Sequence, residues 1–279
     1  MQIRRLSIPD TSALLAAING AFADYIVPFQ LTAAQLNFKM MSESIRPEWS
    51  VGVFEAGRLI AFILHGVRTA EGKTMVYNAG TGVLPAHRGK GLVGKMYEYI
   101  LPFFKENHVN KLVLEVIEGN RPARHAYEKN GFSIRRKLWC FGGVLSATTA
   151  PAPALIKSPG HLEWDLLQSF WDIHPSWQSA IPTMDLARAN VLAAWLGEEL
   201  SGYILFRPES RRIYQLAVAP QHRRKGIATQ LLAAVQQQMP EGKVQFNNVD
   251  EAAAGLKLCL EKQGLKNELN QFEMTRDFL

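Results

Sequence analysis

The chain has 279 residues, 47% of them hydrophobic and 20% charged, with a net charge of +6. These are the proportions of a folded globular protein, and the length predicts two domains with a core each. Cys140 and Cys259 lie far apart and outside any CxxC pair, which excludes a disulfide framework and a thiolate zinc site and fits a reducing, cytoplasmic setting. No leader-like N-terminus and no run of 18 apolar residues occurs, so neither secretion nor membrane spanning is expected.

The charge is uneven. Residues 1 to 143 hold 18 Lys and Arg against 11 Asp and Glu, a net +7, while the remainder holds 13 against 14. A basic first half suits an anionic partner. Its cations are dispersed and not interleaved with aromatic residues, which argues for an anionic cofactor over nucleic acid.

In chain order, residues 2 to 6 read as a strand, and Leu14, Leu15, Ile18 and Phe22 follow at helical spacing. Residues 31 to 41 read as a second helix. Strands over 50 to 55 and 59 to 66 flank the turn signal Ala56-Gly57. A third strand covers 75 to 84. Residues 91 to 104 form an amphipathic helix with Leu92, Met96, Tyr99, Ile100 and Phe103 on its buried side. A strand over 111 to 117, a helix over 122 to 129 stopped by Asn130-Gly131, and a closing strand over 133 to 141 complete the series. The order β-α-α-β-β-β-α-β-α-β predicts an α/β fold, one mixed sheet with helices on both faces.

That series occurs twice. Val83 to Leu92 returns as Val218 to Ile227 at an offset of 135, Arg58 to Phe62 as Glu199 to Tyr203 at 141, and Glu128 to Phe132 as Glu261 to Leu265 at 133. Three landmarks in the same order indicate a duplication with altered loop lengths. Residues 146 to 154, rich in Pro, Ala and Ser/Thr and free of charge, read as a linker between domains at 1–145 and 155–279.

The chemistry concentrates where a strand ends in Val-x-Pro and Arg88-Gly89-Lys90-Gly91-Leu92-Val93-Gly94 opens a helix. Glycines there let backbone N–H groups converge on an anion, helped by the helix dipole. Pyrophosphate is the natural occupant. The spacing matches neither GxxxxGK[ST] nor GxGxxG, which disfavours ATP and nicotinamide cofactors. The histidines show no metal-ligand spacing, and no metal site is expected.

Val83 to Gly94 resembles the acyl-CoA pyrophosphate loop of the GNAT superfamily of N-acetyltransferases, R/Q-x-x-G-x-G/A. Arg223-Arg224-Lys225-Gly226-Ile227-Ala228 matches the signature fully, and the first copy departs from it only at Val93. Leu114 to Phe132 resembles a second family stretch, LxV...N..A...Y...GF. The resemblance implies two tandem GNAT-like domains. It implies acetyl-CoA contacts from Thr81, Gly82, Val83 and Arg88 through Gly94, from Asn120, and from Val218 and Arg223 through Ala228. Tyr127 becomes the acid that protonates the departing thiolate, and Leu260 stands in its place in the second domain. Glu115 is a candidate base or water-positioning residue, with a salt-bridged strand carboxylate as the alternative; His65 and Glu118 are lesser candidates.

The expectation is an acetyl-CoA-dependent N-acetyltransferase working in its first domain on a small-molecule or peptide amine, with a degenerate second domain. The alternatives are an enzyme working in the second domain and an acyl-CoA-binding sensor that turns nothing over. The acceptor and the oligomeric state are not written in the sequence.

Overall fold

A computed structural model describes residues 1–146, 154–160 and 163–278. The chain divides into two compact units, Met1–Arg135 with Phe272–Leu279, and Arg136–Gln271.

The first unit runs β1 (Gln2–Arg5), α1 (Thr11–Phe22), α2 (Ala33–Ser42), β2 (Val51–Glu55), β3 (Arg58–Ala70), β4 (Lys73–Val83), α3 (Leu92–Glu106), β5 (Val109–Ile117) and α4 (Arg121–Lys129), then enters β6 (Ser133–Gly143). Strands β1 to β4 are antiparallel neighbours in sequence order, and β5 joins β4 in parallel. The α3 stripe differs from expectation by one position in two places: Leu92, Met96, Tyr97, Ile100 and Phe104 are buried, whereas Tyr99 is 44% exposed. Positions 96, 97, 100 and 104 follow the 3.6-residue period, which 99 leaves.

The second unit contains β7 (Leu155–Lys157), α5 (Trp164–Gln168), α6 (Ile181–Ala187), β8 (Asn190–Leu196), β9 (Glu199–Arg207), β10 (Arg212–Val218), α7 (Ile227–Gln238), β11 (Val244–Asp250), α8 (Ala254–Lys262) and the start of β12 (Lys266–Asp277). Strands β7 to β10 are antiparallel neighbours, β11 is parallel to β10, and β6 is antiparallel to β11 from Leu138↔Asp250 to Gly143↔Val244.

The division follows closing strands rather than the repeat boundary. Residues 136–143 pair within the second unit, while the end of β12 lies in the first, where Phe278 N donates to Asn110 O at 2.9 Å. Most of the expected linker, 147–153, lies outside the described residues.

Each unit has the same irregularity beside its parallel pair. In β4, Asn78 and Gly80 face His65 and Leu64, so Ala79 is an extra residue. In β10, Ile213 and Gln215 face Phe206 and Leu205, so Tyr214 is extra, 135 residues later. Beyond each bulge the parallel strands part. Pairing of β4 with β5 ends at Asn78↔Leu114 although the strands run on to Val83 and Ile117. Pairing of β10 with β11 ends at Ile213↔Phe246 although they continue to Val218 and Asp250. The result is a wedge in each unit.

Candidate active site

A glycine turn stands at the mouth of each wedge. Gly91 starts α3 and Gly226 starts α7 at φ +70° and +83°, left-handed conformations that only glycine adopts freely, and neither helix start is capped by a side chain. Space is open around the Cβ position of Gly89, Gly91 and Gly94, so the amides at the start of α3 are approachable by an anion. Position 89 is glycine at φ +74°, and its counterpart Arg224 holds φ +63° at some conformational cost. The side chains of Leu92 and Ile227 are buried in their cores, which leaves only their backbones for a ligand.

The arginines that open both motifs face elsewhere. Arg88 donates through Nε to Val83 O at 3.2 Å and through its other nitrogens to Ala21 O and the Asp24 carboxylate. Arg223 repeats this with Val218 O at 3.0 Å, Phe170 O and Asp172. Both guanidinium groups brace the turn from behind, and Asp24 and Asp172 had no sequence signal because their offset of 148 differs from that of the motif. Gly82 likewise has a packing reason: a Cβ there would meet the Phe62 ring at 2.4 Å.

Strand alternation sends β4 and β5 side chains to opposite faces of the first wedge. On the α3 face, Asn78 Nδ2 donates to the Tyr97 hydroxyl at 2.9 Å and to Thr81 Oγ1 at 2.8 Å. Tyr127 of α4 packs edge-on against Tyr97 and Phe132. Burial pushes the Tyr127 phenol up to about 12, with hydrogen bonding from Thr81 and Asn78 working the other way, so the hydroxyl keeps its proton at neutral pH. Asn120 caps α4 by accepting from Ala123 N at 3.2 Å and donates to the Tyr25 hydroxyl at 3.0 Å.

On the opposite face sits Glu115. The Tyr77 hydroxyl donates to its Oε2, while Oε1 is buried and meets no partner. Burial pushes this carboxyl up to about 7; Glu273 and Glu43 add repulsion, and Tyr77 and Lys39 oppose it. A carboxyl poised there is a competent base near neutrality. His65 is no rival: it is 1% exposed, its Nδ1 pairs with the Trp49 carbonyl, and burial drives its pKa down to about 3.

In the second unit the wedge is a cavity of about 190 Å³, lined among others by Trp171, Tyr214, Val218, Ala228, Leu256 and Cys259. A chain of hydrogen bonds from Trp171 Nε1 through the Tyr203 hydroxyl to Gln215 borders it. Leu260 is fully buried where Tyr127 stands in the first unit, and strand register puts Asn247 in the place of Glu115. Of the remaining tryptophans, Trp164 donates to Asp185 and Trp195 lies under Lys157, both packing roles. Arg136 pairs with Asp250 at 2.9 Å. Among the described residues no cluster of His, Cys, Asp or Glu suits a metal ion, and no helix is long and apolar enough to cross a membrane.

A model of the Acetyltransferase (GNAT) family matches residues 16–132 and again 158–257. A GCN5-related N-acetyltransferase from Sphaerobacter thermophilus superposes with a TM-score of 0.75 at 16% identity, covering 99% of this chain and 95% of that one. A tandem GNAT protein from the clavulanic acid biosynthesis pathway superposes at 0.72 and 15% identity, covering 99% and 98%. Streptothricin acetyltransferase of Streptomyces lavendulae is 40% identical over 52 residues, 19% of this chain and 28% of that protein's length.

Proposed function

Because the chain belongs to the Acetyltransferase (GNAT) family, we propose that it transfers an acetyl group from acetyl-CoA to a primary amine, with the working site in the wedge of the first unit. The carrying observation is a buried phenol and a carboxylate with one buried oxygen free of partners on opposite faces of one wedge. The open turn at Gly89 and Gly91 fits a pyrophosphate at the wedge mouth.

Acetyl-CoA, when bound, supplies an activated carbonyl and a thiolate leaving group. Glu115 Oε1 takes a proton from the acceptor ammonium and so frees the nucleophilic lone pair. Past Asn78 the edge of β4 no longer pairs with β5, and on this reading backbone N–H groups of that edge toward Val83 serve the developing oxyanion. Tyr127 holds its proton for the departing sulfur. The acidity gap narrows because a thiolate in the same dry wedge is raised by the same desolvation.

The cavity in the second unit favours one further reading, that this wedge binds an acyl-CoA without turnover. Calorimetry with acetyl-CoA on the intact chain, on Gly91→Glu and on Gly226→Glu tests both. The expectation is that Gly91→Glu abolishes thiol release from acetyl-CoA in the presence of an amine panel, and that Gly226→Glu spares it. The reverse pattern in folded proteins transfers the working site to the second unit.

A further inference from the structure

Three charged groups, Lys39, Glu43 and Glu273, act on Glu115. Lys39 and Glu43 face it from α2, paired with each other at 2.7 Å. Arg68 of β3 acts on Glu43 and Tyr77, with its Nε donating to Ser44 Oγ at 3.2 Å. Tyr77 reaches it from β4, and Glu273, 8% exposed, from the end of β12 that completes the first unit.

We propose that Tyr77 and Glu273 are positioning residues for Glu115: the Tyr77 hydroxyl holds Oε2 and leaves Oε1 to the acceptor amine, while the like charge of the Glu273 carboxylate favours the form of Glu115 that holds the proton it has taken. The inference rests on the reading of Glu115 as the base. A carboxylate with both oxygens satisfied internally makes a poor base, since an internal hydrogen bond must break before a proton is accepted. Occupation of one oxygen fixes the group's rotation and directs the proton to the other. An arriving ammonium places a positive charge beside Glu115, which favours its ionised form. The N–H bond of the ammonium then breaks, its electron pair stays on nitrogen, and the proton forms an O–H bond at Oε1. The two neighbours act in opposite senses, because a donated hydrogen bond favours the ionised carboxyl and a like charge disfavours it.

That opposition gives a signature that packing defects do not imitate. In the intact chain labelled with ¹³C-glutamate, the Glu115 carboxyl resonance is assigned by its loss in Glu115→Gln, and its titration midpoint is read in each variant. Tyr77→Phe is expected to raise the midpoint and Glu273→Gln to lower it, each by about one pH unit. The acidic limb of kcat/KM for CoA release from acetyl-CoA, with the most active primary amine of a panel, moves the same way. Midpoints that stay fixed, or that move in the same direction in both variants, overturn the proposal. If Tyr77→Phe does not fold, Glu273→Gln and Glu273→Ala carry the test, and both must lower the midpoint. Fixed midpoints with release abolished in Glu115→Gln overturn this inference alone. Midpoints that move as expected with release intact in Glu115→Gln overturn the reading beneath it.

Discussion

On the α3 face of the first wedge and its counterpart in the second, four matched positions differ. Asn78, Thr81, Tyr97 and Tyr127 form a polar cluster in the first unit; Ile213, Leu216, Leu232 and Leu260 stand in their places in the second. All four aliphatic residues belong to the core of the second unit. The turn, its left-handed glycine and its arginine brace are the same in both. A duplicated frame thus keeps what holds an anion and differs in what moves a proton. Core formation tolerates either set, since each is satisfied within itself: hydroxyls and amide by hydrogen bonds, aliphatic groups by burial. Chemistry tolerates only the first.

The largest expected effect comes from removing the proton-moving groups. Tyr127→Phe and Glu115→Gln should each lower kcat by about 10² to 10⁴ while leaving acetyl-CoA affinity near its original value. An unchanged kcat in Tyr127→Phe removes that residue from the mechanism. Weaker binding with unchanged kcat makes it a packing residue of the donor site.

A second expectation turns on stability. The Glu115 carboxyl is raised to about 7 in the folded chain, and its unfolded value lies near 4.3. Between these values the folded state binds more protons than the unfolded one, so stability falls as pH rises through this window. The loss is on the order of 3–4 kcal/mol above pH 7. Glu115→Gln should therefore raise Tm by about 5 °C at pH 8 and by little at pH 4. Equal changes at both pH values would show that the carboxyl carries no such burden.

The repeat, the order of elements along the first half and both turns are legible in the sequence because Gly91, Gly226 and the Val-x-Pro strand ends have local causes. Tyr127 and Glu115 carry a motif or a lone charge on a strand. The rest of the cluster does not. Asn78 has no motif around it, Tyr97 lies outside the stripe expected to be buried, and their link depends on β4 and α3 meeting across the core. The exchange of 136–143 and 272–279 between units is invisible for a similar reason, since hydrophobic alternation in a closing strand does not name its neighbour. Glu273 reaches Glu115 only through that pairing.

Transplanting the acid sharpens the comparison. Leu260→Tyr puts a hydroxyl among Ile213, Leu216 and Leu232, none of which has a polar side-chain atom, and the side chain is fully buried. The expected cost is about 2 kcal/mol for an unsatisfied buried hydroxyl. No activity should appear in a Gly91→Glu background. Turnover in that double variant would mean that one phenol suffices and that the other three polar positions are dispensable.

The smallest effect concerns the part that the two units share. Arg88 and Arg223 each fork to a backbone carbonyl of the preceding helical segment and to an aspartate, and both aspartates are exposed, at 53% and 70% of their side-chain surface. Solvent screens such ion pairs, so the charge itself adds little to stability. The bonds to Val83 O and Val218 O are different, because they tie the strand end to the glycine turn and need the planar donor set of a guanidinium. Lysine keeps the charge and loses that geometry. Arg88→Lys should leave Tm nearly unchanged and raise the KM for acetyl-CoA about threefold to tenfold by loosening the turn, a range of roughly 1 kcal/mol. Arg223→Lys should change neither Tm nor KM, because on the proposed reading its turn serves no turnover. A similar rise in KM from both substitutions would show that the second wedge takes part in the reaction.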